Sequence, residues 1–223
     1  MFRIKICGIT SVEDALIATR AGADAIGLNF CRQSPRFCPT DDASRITSEL
    51  PRHVCRVGVF VNATAADIRA SAGSIELDLV QLHGDEPPEL VAELDGLNVI
   101  KAFRIHADLS DVAAYLDRCR ALAATPRMVL LDAFDPVRYG GTGEPIKGDI
   151  LLKCRSLLGG LPLVLAGGLK PTNVAAAIAA VRPSAVDVAS GVETSPGKKS
   201  ASLVREFVAA AKAAFAQCGT GGD

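Results

Sequence analysis

The chain has 223 residues with a formal net charge of -1, and 49% of its residues are hydrophobic. This is the composition of an ordinary globular protein, and it excludes a whole-surface charge field that would attract nucleic acid or a membrane. The 7 cysteines are scattered without zinc-ligand or disulfide spacing, so we expect no metal site and a reducing, cytoplasmic setting.

Short apolar runs alternate with alanine-rich helical patterns along the chain. In chain order, the strand-like runs are RIKIC, ADAIGLNF, CRVGVFV, LDLVQL, NVIKAF, RMVLLD, LPLVLAG and SAVDVAS. The helical stretches are VEDALIATRAG, DDASRITSEL, TAADIRASAG, PPELVAELDG, LSDVAAYLDRCRALA, GDILLKCRSLLGG, NVAAAIAAV and SLVREFVAAAKAAF. Nearly continuous apolar strands separated by helices indicate a parallel sheet covered by helices.

About eight such units predict a single α/β domain, a (β/α)8 TIM barrel over residues 1–217, followed by a frayed tail at 218–223. An open doubly wound sheet is the alternative. It is less favoured because the first turn, CGIT, lacks the GxGxxG fingerprint. In a barrel the active site forms where the strands end, so the residues at those ends are the functional candidates.

Cys7 ends the first predicted strand, and Gly8 permits a sharp exit toward a helix that Ser11 and Asp14 are expected to cap. A thiol close to a helix N-terminus has a lowered pKa, and Lys5 lies on the same face of the strand. The alternative is an inert, packed thiol. The position therefore fits either a reactive thiolate or a packing residue.

Three other polar side chains lie at or beyond strand ends. Asp132 ends MVLLD, where burial would keep a carboxyl protonated and ready to act as an acid; a helix cap or an ion pair is the alternative. Arg36 lies in the long loop NFCRQSPRFCPT, either clamping a carboxylate or facing solvent. His83 in QLHGDE is either a ligand contact or a turn residue.

Glycine clusters follow the late strands, a pattern typical of the phosphate-binding loops of barrels. AGGLKPTNV follows the seventh strand and ASGVETSPG the eighth, and YGGTG provides a third cluster. Ordinary turns are the alternative for any one of them. The candidate phosphate-binding residues are Gly141, Gly143, Gly167, Gly168, Ser190 and Gly191.

Taken together, these motifs resemble the phosphoribosylanthranilate isomerase family. The ordered set is KICGIT, SPR, VGVFV, VQLHGDE, IKAF, LLD, GGTG, AGGL with PTNV, and DVASGVETSPG, which spans nearly the whole chain. The resemblance implies a barrel enzyme of tryptophan biosynthesis that uses neither a cofactor nor a metal. It also implies an Amadori rearrangement, from N-(5-phosphoribosyl)anthranilate to 1-(2-carboxyphenylamino)-1-deoxyribulose 5-phosphate.

The resemblance implies roles for individual residues as well. Asp132 is the general acid that protonates the furanose ring oxygen, and Cys7 is the general base that removes the C2 proton. Arg36 meets the anthranilate carboxylate, and the glycine loops hold the phosphate. His83 and Asp187 are expected to bind substrate, with Asp187 orienting either Lys5 or a sugar hydroxyl.

The chain departs from the family pattern at two places. EPIKGDI follows GGTG where the family has a lysine and then an aromatic–Asp–Trp segment, and Ser200 replaces an acid in SPGKKS. Two other functions remain open: another phosphosugar isomerase or epimerase, for which 3 scattered histidines are poor metal ligands, and a non-catalytic phosphosugar sensor. We expect a monomer or a homodimer.

Overall fold

The computed structural model describes residues 1–105, 109–133 and 156–219. Parallel strands close into a barrel in chain order, and the last strand pairs back to the first, which confirms the predicted TIM barrel. The strands are β1 (Ile4–Cys7), β2 (Ala25–Asn29), β3 (Cys55–Phe60), β4 (Leu79–Leu82), β5 (Val99–Ile105), β6 (Met128–Ala133), β7 (Leu163–Ala166) and β8 (Ala185–Val188).

Helices cover the outside of the barrel. In the described part of the chain they are α1 (Val12–Ala21), α2 (Thr40–Ser48), α3 (Ala65–Ile75), α4 (Pro88–Glu93), α5 (Ser110–Ala121), α6 (Val174–Val181) and α7 (Ala201–Gly219). Most of the predicted helix GDILLKCRSLLGG lies outside the described residues. The division at residue 217 stays a prediction. No described helix combines the length and the apolar character that crossing a bilayer requires.

A short antiparallel hairpin after β8 does not follow from the strand–helix alternation. Its strands are β9 (Glu193–Ser195) and β10 (Lys198–Lys199), and it follows a single 3-10 turn at Ser190–Val192. These strands are too short to show an apolar period in the sequence. The hairpin lies at the carboxyl end of β8, and it therefore brings Glu193 and Lys199 to the mouth of the barrel.

Alternate residues along each strand face the barrel interior, as the two-residue period of a strand requires. Their buried apolar members form one cluster, while the intervening residues, such as Ile6 and Leu28, pack with the helices in another. The interior cluster contains Ala25, Val57, Leu79, Ile100, Ala102, Met128, Leu130, Val164, Ala166 and Ala185. The same alternation continues to the strand ends and points the last inward residues into the mouth.

Just below the mouth, the barrel interior is polar. Lys5 Nζ donates to Gln81 Oε1 at 2.9 Å and to Asp187 Oδ2 at 3.0 Å, and all three residues are buried. Burial lowers the pKa of Lys5, but Asp187 and Cys7 together outweigh it and leave the pKa above its usual value. Lys5 is therefore a charged ammonium, and the pairing offsets the cost of burying that charge.

Candidate active site

A cleft of about 510 Å³ opens at the carboxyl ends of the strands. Residues predicted separately from remote parts of the sequence share this cavity. Those that line it are Cys7, Arg36, His83, Asp132, Gly167, Gly168, Asp187 and Ser190. Gly191 lies behind the lining, next to Leu169, and Gly141 and Gly143 lie outside the described residues.

Cys7 is the last residue of β1 and is half-buried at the floor of the cleft. The chain leaves the strand through Gly8, whose φ of 72° favours glycine. A Cβ at Gly8 would also lie 2.5 Å from Cδ of Arg36. Gly8 therefore lets the chain turn and lets the arginine approach, as the predicted sharp exit requires.

The predicted lowering of the Cys7 pKa is wrong. Burial raises the pKa of the thiol, and the Lys5 ammonium opposes that rise without overcoming it. The helix contributes little because α1 begins only at Val12, and a helix dipole loses its effect beyond the first turn. Ser11 caps this helix as predicted, by accepting a hydrogen bond from the Asp14 backbone N–H at 3.1 Å, whereas the Asp14 carboxylate accepts from the Lys199 backbone N–H at 3.1 Å.

Asp132 ends the inward-facing row of β6 and is paired with a histidine. Its Oδ2 lies 3.3 Å from Nε2 of His83, and both side chains are partly exposed to the cleft. The other ring nitrogen of His83, Nδ1, lies 2.8 Å from Nε2 of Gln81. Asp132 therefore contacts a histidine at the mouth of the cleft, and its carboxyl is only partly buried.

Arg36 is fixed in place by a carboxylate from the hairpin. Its Nε donates to Oε1 of Glu193 at 2.8 Å and its Nη2 donates to Oε2 at 2.6 Å. Lys199 Nζ donates to the same carboxylate at 2.7 Å and to the carbonyl oxygen of Cys7 at 2.6 Å. This network joins the loop after β2, the hairpin and the end of β1, so the guanidinium is held at the edge of the cleft.

Burial and pairing oppose one another in this network. Burial raises the pKa of the Glu193 carboxyl, but the hydrogen bonds from Arg36 and Lys199 overcome it and leave the pKa below its usual value. Burial lowers the pKa of Lys199, with Glu193 opposing. The carboxylate thus stays ionised at neutral pH and orients the guanidinium in a bidentate geometry.

The glycine loops after β7 and β8 are in backbone contact. A Cβ at Gly191 would collide with the carbonyl oxygen of Leu169, so only glycine allows this approach. In the first of these loops, Asn173 accepts a hydrogen bond from the Lys170 backbone N–H at 2.8 Å and donates to the Gly168 carbonyl oxygen at 2.9 Å. The two turns therefore lie together and form one wall of the cleft.

Sequence reasoning missed four residues around this cleft: Gln81, Arg104, Glu193 and Lys199. Gln81 had a usable signal, because a polar residue inside the apolar run LDLVQL shares a strand face with His83 two positions later. The hairpin residues had none, since surface lysines and glutamates are ordinary in loops. Among the described residues, no group of three or more histidines, cysteines or acids is placed to hold a metal ion.

The family model and the curated relatives name the same family. The family model described as N-(5'phosphoribosyl)anthranilate (PRA) isomerase matches residues 4–210. The chain is 47% identical over 213 residues to the N-(5'-phosphoribosyl)anthranilate isomerase of Geobacter metallireducens, covering 96% of this chain and 100% of that protein.

Solved structures agree with the sequence comparison. A phosphoribosyl anthranilate isomerase in complex with reduced 1-(o-carboxyphenylamino)-1-deoxyribulose 5-phosphate superposes with a TM-score of 0.80 at 42% identity, covering 96% of this chain and 100% of that one. Monomers generated from the dimeric enzyme of Thermotoga maritima superpose with a TM-score of 0.79 at 39% identity, over 95% of this chain and 99% of that one.

Proposed function

The chain belongs to the N-(5′-phosphoribosyl)anthranilate isomerase family, and on that premise we propose that Cys7 and Asp132 carry the two proton transfers of its reaction. The enzyme converts N-(5-phosphoribosyl)anthranilate to 1-(2-carboxyphenylamino)-1-deoxyribulose 5-phosphate, a step of tryptophan biosynthesis. This assignment decides against the epimerase and the non-catalytic sensor. One observation supports the two catalytic roles. The Cys7 thiol at the end of β1 and the Asp132 carboxyl on β6 line the same cleft, with β7 and β8 between their strands.

The reaction begins with an acid. Asp132 gives its proton to the furanose ring oxygen, the bond from C1 to that oxygen breaks, and the anilino nitrogen lone pair forms the C=N bond of a Schiff base. Position favours Asp132 for this step because its carboxyl is partly open to the cleft while His83 holds one of its oxygens. Proton transfer by a positioned group needs no metal.

The second transfer needs a base. The Cys7 thiolate takes the C2 proton, the C2–H electron pair forms the C1=C2 bond, and the Schiff base nitrogen recovers its lone pair. The resulting enolamine takes a proton at C1 from the Cys7 thiol and gives its C2 hydroxyl proton to the Asp132 carboxylate, which forms the ketone and restores both groups. Lys5 supports this role, since its ammonium beneath Cys7 stabilises the thiolate against the effect of burial.

Asp187 has an oxygen suited to a sugar hydroxyl. Its Oδ2 accepts from Lys5, while its Oδ1 is buried without a hydrogen-bond partner among the described residues. A buried acceptor without a partner is costly, and a substrate hydroxyl would satisfy it. We therefore assign Asp187 to both predicted roles: it pairs with Lys5 and binds the ribose.

We assign the phosphate to the wall formed by the two glycine loops, in which backbone N–H groups suit an anion. Gly191→Ala should raise KM about tenfold or more, because a Cβ at this position collides with the Leu169 carbonyl and separates the loops. The measurement is steady-state kinetics with a thermal melt. The control is Gly73→Ala, at an exposed α3 position where a Cβ meets nothing within 4 Å. An unchanged KM in a folded Gly191→Ala variant contradicts this assignment.

Arg36→Ala should mainly raise KM, because the guanidinium meets the anthranilate carboxylate of the substrate, which is remote from the bonds that change. Arg36→Lys should lose most of the same affinity, since an ammonium cannot be bidentate both to Glu193 and to a ligand. Both constants come from the same kinetic titration. A loss confined to kcat, at unchanged KM, would mean that Arg36 acts on the transition state instead.

The fluorescence of the anthranilate group provides the test of the activity. Purified protein should consume N-(5-phosphoribosyl)anthranilate, with loss of its fluorescence, in the presence of a chelator. Cys7→Ala at the same concentration is the control for non-enzymatic breakdown. Substrate that persists with the wild-type protein and chelator, but disappears when metal is added, would exclude the mechanism given above.

We propose a cytoplasmic location and a monomeric or homodimeric state. The family's biosynthetic role and the scattered thiols support the first. The dimeric relative from Thermotoga maritima supports a dimer as one of the two states. Sedimentation of the purified protein distinguishes the two, and a larger assembly would contradict both.

A further inference from the structure

A continuous chain of polar contacts runs across the barrel interior and ends at the candidate acid. It starts at Asp187 and passes through Lys5, Gln81 and His83 to Asp132. Successive contacts measure 3.0, 2.9, 2.8 and 3.3 Å. Lys5 and Gln81 are fully buried, so solvent cannot replace their partners.

The chemistry of Lys5 fixes the direction of every hydrogen bond that follows it. An ammonium has donors only, so the Gln81 group that faces Lys5 must be its carbonyl oxygen. The Gln81 amide nitrogen then points to His83 and donates, and Nδ1 of the histidine must accept. A histidine that accepts at Nδ1 carries its proton at Nε2, the nitrogen next to Asp132.

We propose that Lys5 and Gln81 are positioning residues that hold His83 as the neutral Nε2–H tautomer, which donates to Oδ2 of Asp132 and leaves Oδ1 to carry the acid proton. This inference rests on the proposed function, in which Asp132 is the acid. Its consequence is geometric: the reactive proton occupies one defined carboxyl oxygen, and the histidine does not compete for it.

Several charged groups surround this histidine and act on it in opposite senses. Asp132 on β6 is the nearest, and Arg104 on β5, Cys7 on β1 and Arg36 line the same cleft. Lys5 and Asp187 form a pair that is linked to the ring by the hydrogen bonds of Gln81. A second proton at Nδ1 would face the N–H of the Gln81 amide, so the observed contact requires Nδ1 to act as the acceptor.

Nitrogen-15 spectra of the imidazole rings test the tautomer directly. Near neutral pH the wild-type protein should show His83 with Nδ1 unprotonated and Nε2 protonated, and His83→Asn identifies the signal by its loss. A wild-type His83 that carries its proton on Nδ1 overturns the proposal. This measurement does not depend on activity.

Gln81→Glu replaces the amide donor that faces Nδ1 of His83 with an acceptor, and it should therefore change the protonation of the ring. A carboxylate at this position accepts from Lys5 and also from Nδ1, so both ring nitrogens of His83 should be protonated near neutral pH. Gln81→Met removes both hydrogen bonds at similar volume and should give a mixture of the two neutral tautomers. Gln217→Glu makes the same change of charge at an exposed position on α7 and should leave the His83 signals unaltered.

The kinetic consequence separates positioning from simple structural damage. An imidazolium beside Asp132 favours the ionised carboxylate, so Gln81→Glu should lower kcat about tenfold, the effect of one pKa unit, with a much smaller change in KM. If the Gln81→Glu variant has a doubly protonated His83 but keeps the kcat of the wild type, the positioning role is refuted. Near-normal activity of Asp132→Asn would instead refute the proposed acid, with the tautomer result still standing.

Discussion

Replacing Cys7 by alanine is expected to lower kcat by about 10²–10⁴-fold, the usual contribution of one positioned acid or base. The thiol is the group placed to take the C2 proton, and alanine cannot accept one. The fold should survive, because the side chain is small and only half-buried at the end of β1. The measurement is kcat from the fluorescence assay, with folding checked by circular dichroism.

Cys7→Ser is the matched variant for this prediction. Serine keeps the shape of cysteine, but its hydroxyl is a far weaker acid than a thiol, so the oxyanion is scarce at neutral pH. The serine variant should therefore lose nearly as much turnover as the alanine variant. A folded Cys7→Ala protein with near-normal turnover would mean that another group at the strand ends removes the C2 proton.

The pH profile should carry the signature of a thiol with a raised pKa. In the active form, Cys7 and Asp132 together hold one proton, which lies on the carboxyl. The plot of kcat/KM against pH should therefore be bell-shaped, and its two limbs should report macroscopic pKa values of the pair. The alkaline limb reports loss of that last proton. Because burial raises the pKa of Cys7, the pair keeps its last proton to higher pH. The midpoint of the alkaline limb should therefore lie above pH ~8.5, the ordinary thiol value. A limb below neutral pH would contradict this account.

Asp132→Asn is expected to lower kcat by a similar factor of about 10²–10⁴. The amide has nearly the shape of the carboxyl, and its oxygen can still accept from Nε2 of His83 at the observed 3.3 Å. It has no acidic proton to give to the ring oxygen. Binding should change little, so the loss should appear in kcat rather than in KM.

Asp117→Asn is the matched control for this second variant. Asp117 is an exposed residue of α5 that pairs with Arg120, and exposed pairs of this kind contribute only about 0–1 kcal/mol. Its substitution should leave kcat, KM and the melting temperature close to those of the wild type. If Asp132→Asn behaves like this control, then the ring is opened by a different acid.

The sequence by itself determined the architecture and the candidate residues at the mouth. Strand–helix alternation and apolar runs are local properties, and a two-residue period states which side chains share a strand face. Cys7 and Asp132 were therefore identifiable from their places at the ends of RIKIC and RMVLLD. The glycine clusters were identifiable for the same reason, since each follows directly on a strand.

Only the tertiary structure decided which groups these residues meet. Lys5 and Asp187 are 182 positions apart, and Arg36 and Glu193 are 157 apart, so no local pattern pairs them. The direction of the Cys7 pKa shift was predicted wrongly for a related reason. It depends on the balance between burial and a lysine charge within the closed barrel, and the sum of such opposing effects is set by three-dimensional distances that a sequence does not state.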